Sequence, residues 1–174
     1  FNPTCFDEYL GQNELKKKLS VYTKASKLRG EHLDHLLFFG PPGLGKTTLA
    51  KVIAKELDVP IRVTSAPVLE RSGDLVAMLS NVSEREIFFI DEIHRLPKVV
   101  EEVLYSAMEN FCVDMVVGQG AGAKSIRLPI NPFTLVGATT KTALISAPLQ
   151  SRFGIVERID FYEAKDLASI VIQN

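Results

Sequence analysis

The sequence predicts an α/β fold: a parallel β-sheet with helices packed on both faces. Three observations carry that expectation. Leu36 to Phe39 and Ile87 to Ile90 are wholly apolar runs of strand length, as expected of strands buried on both sides. Stretches of helical period alternate with the strand-like runs, which is the pattern of right-handed β-helix-β crossovers. The first apolar run opens directly into a glycine-rich turn and then a helical stretch, so strand, turn and helix follow without a linker.

In chain order, Leu15, Leu19, Tyr22, Ala25 and Leu28 recur at three- and four-residue intervals between Gly11 and Gly30, which predicts an amphipathic helix with a lysine-rich outer face. Leu36 to Phe39 is the first strand. The helix beginning near Lys46 has Leu49, Ala50, Ile53, Ala54 and Leu57 as its buried stripe. Pro60 delays the next strand to Ile61–Thr64, and Leu75, Met78 and Leu79 mark a short helix. Ile87 to Ile90 is a central strand. Val99, Val103, Tyr105, Ala107 and Met108 suggest a helix that begins after Pro97, and Thr134 to Ala138 is a further core strand. Val156, Ile159 and Phe161 suggest one more strand, before a helix over Asp166–Ile172. Val113–Val117 and Ile126–Pro129 break the alternation: joined by Gly118, Gly120 and Gly122, they suit a hairpin projecting from the sheet.

The 174 residues fit one domain with a substantial core, and 46% hydrophobic with 24% charged residues excludes a disordered or fibrous chain. Twenty Lys and Arg against twenty-one Asp and Glu leave a net charge of -1, so any nucleic-acid contact must come from a local patch, another domain or a partner. Cys5 and Cys112 have neither CxxC spacing nor zinc-ligand company, which fits reduced thiols in the cytoplasm. No signal-peptide pattern is present, and the apolar runs are too short to span a bilayer.

The chemistry concentrates in two segments. Gly40, Pro41, Pro42, Gly43, Leu44, Gly45, Lys46 and Thr47, with Thr48 following, match the phosphate-loop pattern GxxxxGK[ST] at every specified position. Glycines let the backbone curve around phosphate oxygens while amides at the next helix N-terminus donate to the anion. Lys46 is placed to contact the β- and γ-phosphates of ATP, and the Thr47 hydroxyl to ligate Mg²⁺. The second segment is Ile87-Phe88-Phe89-Ile90-Asp91-Glu92. A carboxylate ending a buried strand beside such a loop reaches the metal shell, which assigns Asp91, and Glu92 can accept a proton from attacking water. His94 follows without companions that would make it a metal ligand. Thr139 or Thr140 could orient water near the γ-phosphate, and the residues alone do not choose between them. Arg152 could enter a neighbouring subunit's cleft, or be an ordinary surface arginine.

Together these segments make the chain a P-loop NTPase of AAA+ type, and its resemblance to the RuvB family, bacterial Holliday-junction branch-migration motors, covers nearly its whole length. The likeness runs through Asp7–Gln12, Leu33–His35, Gly40–Leu49, Gly73–Leu75, Phe89–Leu96, Glu101–Met108, Ser125–Leu128, Phe133–Thr140, Pro148–Leu149 and Ser151–Gly154. The resemblance implies the large AAA+ subdomain over residues 1–174, with a five-stranded sheet in the order 5-1-4-3-2. It places Tyr9 and Leu10 at the adenine and makes Thr140 sensor 1 and Arg152 a trans-acting arginine finger. It also implies that the hairpin over 113–129 docks onto RuvA through Ile126 and Leu128. Family members form hexameric rings on duplex DNA at a Holliday junction, with RuvC as an indirect partner, in recombination, repair and the SOS response. The helical lid and winged-helix domain of complete members are expected beyond this chain, and the piece alone is expected to bind nucleotide weakly and turn it over slowly.

Asn2 and Gln150 stand where the family usually has arginine, and Lys141 replaces a further arginine after the sensor, keeping charge but not bidentate geometry. Two other readings remain open from the residues. One is another AAA+ assembly ATPase such as a clamp-loader-like subunit; the other is a nucleotide-responsive protein-binding module without turnover.

Overall fold

The computed structural model describes residues 14–43 and 45–159. Asn2, Cys5, Tyr9, Leu10, Leu44, Phe161 and the helix expected over Asp166–Ile172 lie outside the described residues. The elements are α1 (Glu14–Arg29), β1 (Leu36–Phe39), α2 (Lys46–Leu57), β2 (Ile61–Ser65), α3 (Ser72–Leu79), β3 (Ile87–Asp91), α4 (Lys98–Asn110), β4 (Cys112–Val117), β5 (Lys124–Pro129), β6 (Thr134–Thr139), α5 (Ala147–Gln150) and β7 (Ile155–Arg158).

Five strands form one parallel sheet in the spatial order β7-β1-β6-β3-β2. Counting only these sheet strands along the chain, that is 5-1-4-3-2. The apolar runs divide between two cores because alternate residues of a strand face opposite sides. Leu36, Phe38, Ile87, Phe89 and Val136 pack with Leu19 of α1 and Ile53 of α2 on one face. Leu37, Phe88, Ile90 and Leu135 pack with Leu75 of α3 and Leu104 of α4 on the other. The strand between the two apolar runs, β6, therefore sits sandwiched on both faces as well as both edges, and every one of its residues is buried.

One expectation about side-chain phase is corrected, and two further elements show which of their residues face inward. Leu28 does not belong to the buried stripe of α1: it is 89% exposed, while Leu15, Leu19, Thr23 and Ser26 face the core. The two hydroxyls tolerate burial because Thr23 donates to the Ser20 carbonyl at 3.0 Å and Ser26 to the Glu31 carbonyl at 2.6 Å. In α4, Val99 is 58% exposed, and the buried face is Val100, Leu104, Ala107 and Met108, which share one side at the helical period. In β7, Ile155 points inward rather than Val156, and the strand stops at Arg158, one residue before the buried Ile159.

The hairpin is a separate two-stranded antiparallel sheet. Its paired residues Val113–Leu128 and Met115–Ile126 lie on one face two residues apart, so an apolar surface runs from the core outward along it. Val113 is buried and Leu128 is half-buried against the core, whereas Met115, Val116, Val117 and Ile126 are exposed. Asp114 and Arg127 pair across the opposite face at 3.3 Å. Among the described residues no helix is long and apolar enough to cross a membrane.

Candidate functional site

Parallel strands whose order reverses at the centre of the sheet leave a crevice at their carboxyl ends, and the chemistry-bearing segments gather there. At the end of β1 the Gly40 amide donates to the Thr139 carbonyl at 3.1 Å, and the Ile159 amide donates to the Phe39 carbonyl at 2.7 Å. The loop thus leaves the sheet pinned between the ends of β6 and β7. Glycine is required at position 40: its φ is 151°, and a Cβ there would lie 2.0 Å from the Ile159 carbonyl oxygen. Gly43 and Gly45 also adopt positive φ, 136° and 129°, and this carries the backbone into α2.

Gly45 caps α2 without a side-chain oxygen, and the first turn contains no acidic residue. The amides at the positive end of the helix dipole are therefore not claimed by a protein side chain, the condition an anion site needs. Lys46 is buried at this point, its ammonium donating to the Gly40 carbonyl at 3.0 Å and the Pro41 carbonyl at 2.8 Å. Burial lowers its pKa, against the attraction of the Asp91 carboxylate, which raises it. Two neutral carbonyls are weaker partners for an ammonium than phosphate oxygens, so the contacts can be exchanged when an anion arrives.

Pro42, Gly43, Lys46, Thr47, Asp91, Glu92, His94, Thr139 and Thr140 line a single cleft of about 100 Å³. Asp91 ends β3, and one of its oxygens accepts the Glu92 amide at 2.9 Å. Glu92 then takes a left-handed conformation, φ 50° and ψ 43°, uncommon for a residue with a side chain. That turn starts the short helical segment Ile93–Arg95, and the Glu92 carboxylate is 3.3 Å from Arg95. Across the cleft the Thr139 hydroxyl and His94 Nδ1 are 2.9 Å apart. Among the described residues no three His, Cys, Asp or Glu side chains form a metal cage. One carboxylate with one hydroxyl, Asp91 and Thr47, instead suits magnesium, which takes few protein ligands and completes its shell with phosphate oxygens and water.

The structure thus brings Lys46, Thr47, Asp91, Glu92 and Thr140 to one cleft. Gly40 and Pro41 line the adjoining hollow with Pro42, Thr140, Lys141, Thr142 and Arg158, and Thr48 is half-buried in the first turn of α2. Arg152 is not among the cleft residues. It lies against α4, its guanidinium 4.2 Å from the centre of the Tyr105 ring, its Nε 3.1 Å from a Glu109 oxygen, and one Nη donating to the Pro148 carbonyl at 2.6 Å. Ile126 and Leu128 lie on the hairpin. His94 is the cleft residue that sequence reasoning passed over, having weighed it only as a metal ligand; its place three residues after Asp91, where the chain leaves β3, was the available signal.

The sequence profile described as the Holliday junction DNA helicase RuvB P-loop domain matches residues 1–159. The chain belongs to this family. It is 59% identical over 169 residues to the RuvB branch migration complex subunit of Pediococcus pentosaceus, covering 97% of this chain and 50% of that protein. With the Levilactobacillus brevis RuvB subunit it shares 58% identity over 172 residues, 99% of this chain and 51% of the other. The solved Thermotoga maritima RuvB Holliday junction branch migration motor superposes with a TM-score of 0.81 at 52% identity, covering 98% of this chain and 52% of that one. A variant of the same T. maritima RuvB gives 0.86 at 51% identity, covering 99% and 54%. The chain spans about half the length of the curated relatives it matches. Family membership selects RuvB over the clamp-loader-like reading, and the P-loop domain is nucleotide-binding.

Proposed function

We propose that this domain is the ATP-hydrolysing core of a ring-forming DNA translocase that drives branch migration of Holliday junctions. The observation that carries the reading is the convergence of Lys46, Thr47, Asp91, Glu92 and Thr140 on one cleft at an uncapped helix N-terminus, in a RuvB-family chain. The reaction is ATP plus water to ADP plus phosphate. The α2 amides and the Lys46 ammonium hold the β- and γ-phosphates and neutralise charge gathering on them. Mg²⁺, when bound through Thr47 and Asp91, supplies further charge neutralisation and orients the polyphosphate. Glu92 accepts the proton of the attacking water as the new P–O bond forms and the bond to ADP breaks. Thr139 is occupied by His94, which leaves Thr140 as the hydroxyl for the γ-phosphate side of the cleft. Tyr9 and Leu10, which lie outside the described residues, are assigned to the adenine by the family resemblance alone.

Arg152 completes a neighbouring subunit's site in a hexameric ring, a contribution of roughly 10³ to 10⁵ in rate where arginine fingers act. Its position outside its own chain's cleft agrees with a role in trans. The hairpin presents Ile126 and Leu128 to RuvA, and the ring encircles duplex DNA at a junction in the bacterial cytoplasm, with RuvC acting on the same junction. Glu92→Gln is expected to keep nucleotide affinity within about twofold while lowering kcat by roughly 10² to 10⁴. In a full-length RuvB carrying this domain, ATPase should rise with junction DNA and RuvA together. Turnover indifferent to both would sink the motor reading.

A further inference from the structure

The α4 surface under Arg152 is ordered from both ends. Glu101, Tyr105 and Glu109 are spaced four residues apart and so share one face of the helix. The Tyr105 hydroxyl donates to a Glu101 oxygen at 2.6 Å, and the Ser146 hydroxyl donates to the same carboxylate oxygen. Ser146 also caps α5, its hydroxyl accepting the Leu149 amide. Arg152 follows α5 by two residues, so this chain of contacts ties the segment that carries the arginine to the helix beneath it. Its guanidinium then rests on the Tyr105 ring, with Nε ion-paired at 3.1 Å to a Glu109 oxygen without a hydrogen bond and one Nη held by the Pro148 carbonyl. The Arg152 side chain is 21% exposed, in contrast to the 64% of Arg127 on the hairpin. A long cation held on an aromatic face with one anionic edge loses rotamer freedom before any partner arrives, which lowers the entropic cost of a later contact.

We propose that Tyr105 and Glu109 are positioning residues that hold Arg152 in a presentable conformation on its own subunit, so that its remaining guanidinium edge can be offered to the neighbouring cleft. This rests on the trans role of Arg152 proposed above. Neither residue touches the nucleotide of its own chain, so their effect is on kcat delivered to the neighbour and not on nucleotide affinity. Tyr105 supplies the ring, which Phe can replace. Glu109 supplies a charge that draws the guanidinium to its side of the ring, which Gln cannot.

The test uses mixed rings of a full-length RuvB carrying this domain. Glu92→Gln subunits bind ATP and donate Arg152 without turning over; Arg152→Ala subunits turn over only if a neighbour donates. Mixing the two should restore ATPase, and absence of any restoration would refute the trans role of Arg152 and this proposal with it. With restoration established, Tyr105→Ala or Glu109→Gln in the Glu92→Gln donor should lower the restored kcat about tenfold or more, with KM for ATP changed less than twofold, while Tyr105→Phe retains most of it. Placed instead in the Arg152→Ala subunit, Tyr105→Ala should add no loss beyond that of Arg152→Ala. Equal losses from either placement would mean a general folding role and overturn the proposal. So would full restoration by donors carrying Tyr105→Ala or Glu109→Gln. Glu109 is on the surface, so Glu109→Gln remains informative if Tyr105→Ala fails to fold.

Discussion

At the scale of single residues, Gly40 and His35 each do one thing no other side chain would do in the same place. Gly40 combines positive φ with a carbonyl 2.0 Å from where a Cβ would sit, and that oxygen belongs to backbone just outside β7, which cannot swing aside like a flexible side chain. Gly40→Ala is expected to cost about 2–4 kcal/mol, read as a lower urea midpoint, and to weaken nucleotide binding because the loop is displaced. An unchanged midpoint would show that the β1–β7 end is not rigid. His35 is buried, its Nδ1 accepting the Leu135 amide at 2.9 Å and its Nε2 2.9 Å from the Met108 carbonyl. That pattern needs the neutral ring with its proton on Nε2. Burial is the main cause holding its pKa below the usual 6.5; the Met108 hydrogen bond works against it. The unfolded chain therefore binds a proton more readily than the folded one. The stability from neutral His35 is fully present above pH 6.5 and lost as pH falls through the window between 6.5 and the lower folded value, at no more than about 1.4 kcal/mol per pH unit. Urea midpoints at pH 7.5 and 5.5 should separate in the native protein, and His35→Gln should narrow the gap.

At the scale of elements, the hairpin divides into an anchored base and a free middle. Val113 and Leu128 are continuous with the core, so Leu128→Ala should cost about 1–2 kcal/mol of stability as well as weaken RuvA binding. Ile126 is 45% exposed opposite Met115, at 39%, and contributes little to folding. Ile126→Asp should leave stability within about 0.5 kcal/mol and reduce RuvA affinity tenfold or more in calorimetry, because a carboxylate would be buried in an apolar contact. If RuvA binding survives Ile126→Asp, the docking surface lies elsewhere, with exposed Val116 on the opposite face the next position to alter. The same division explains why the sequence reading paired Ile126 with Leu128: both are apolar and alternate correctly along β5, and only the depth of each along the hairpin separates them.

At the scale of the whole molecule, nucleotide is expected to act as a structural ligand as well as a substrate. The loop after β1, the end of β3 and the end of β6 come from distant parts of the chain, and a polyphosphate contacting all three would favour the folded state. ATP with Mg²⁺ at a hundred times Kd should stabilise the domain by about 2.7 kcal/mol, seen as a rise in thermal midpoint. Lys46→Ala should abolish the rise without lowering the midpoint of the nucleotide-free protein, since it also removes a desolvated ammonium whose hydrogen bonds go to neutral carbonyls. A midpoint rise that persists in Lys46→Ala would place the polyphosphate elsewhere.

The phosphate-loop segment, the Asp91-Glu92 pair and the apolar strands β1 and β3 were legible in the sequence because each rests on local rules: a glycine pattern fixes backbone freedom, and an unbroken apolar run has only the sheet interior to occupy. Helical phase was less legible. Thr23 and Ser26 displaced Leu28 from the core because their hydroxyls bond nearby carbonyls, an option that hydrophobicity does not register. The partnership of Thr139 with His94 and the seat of Arg152 on Tyr105 were decided by tertiary structure alone. They join residues 45 and 47 positions apart, and two side chains so separated along the chain meet only after the sheet and α4 have fixed where each backbone lies.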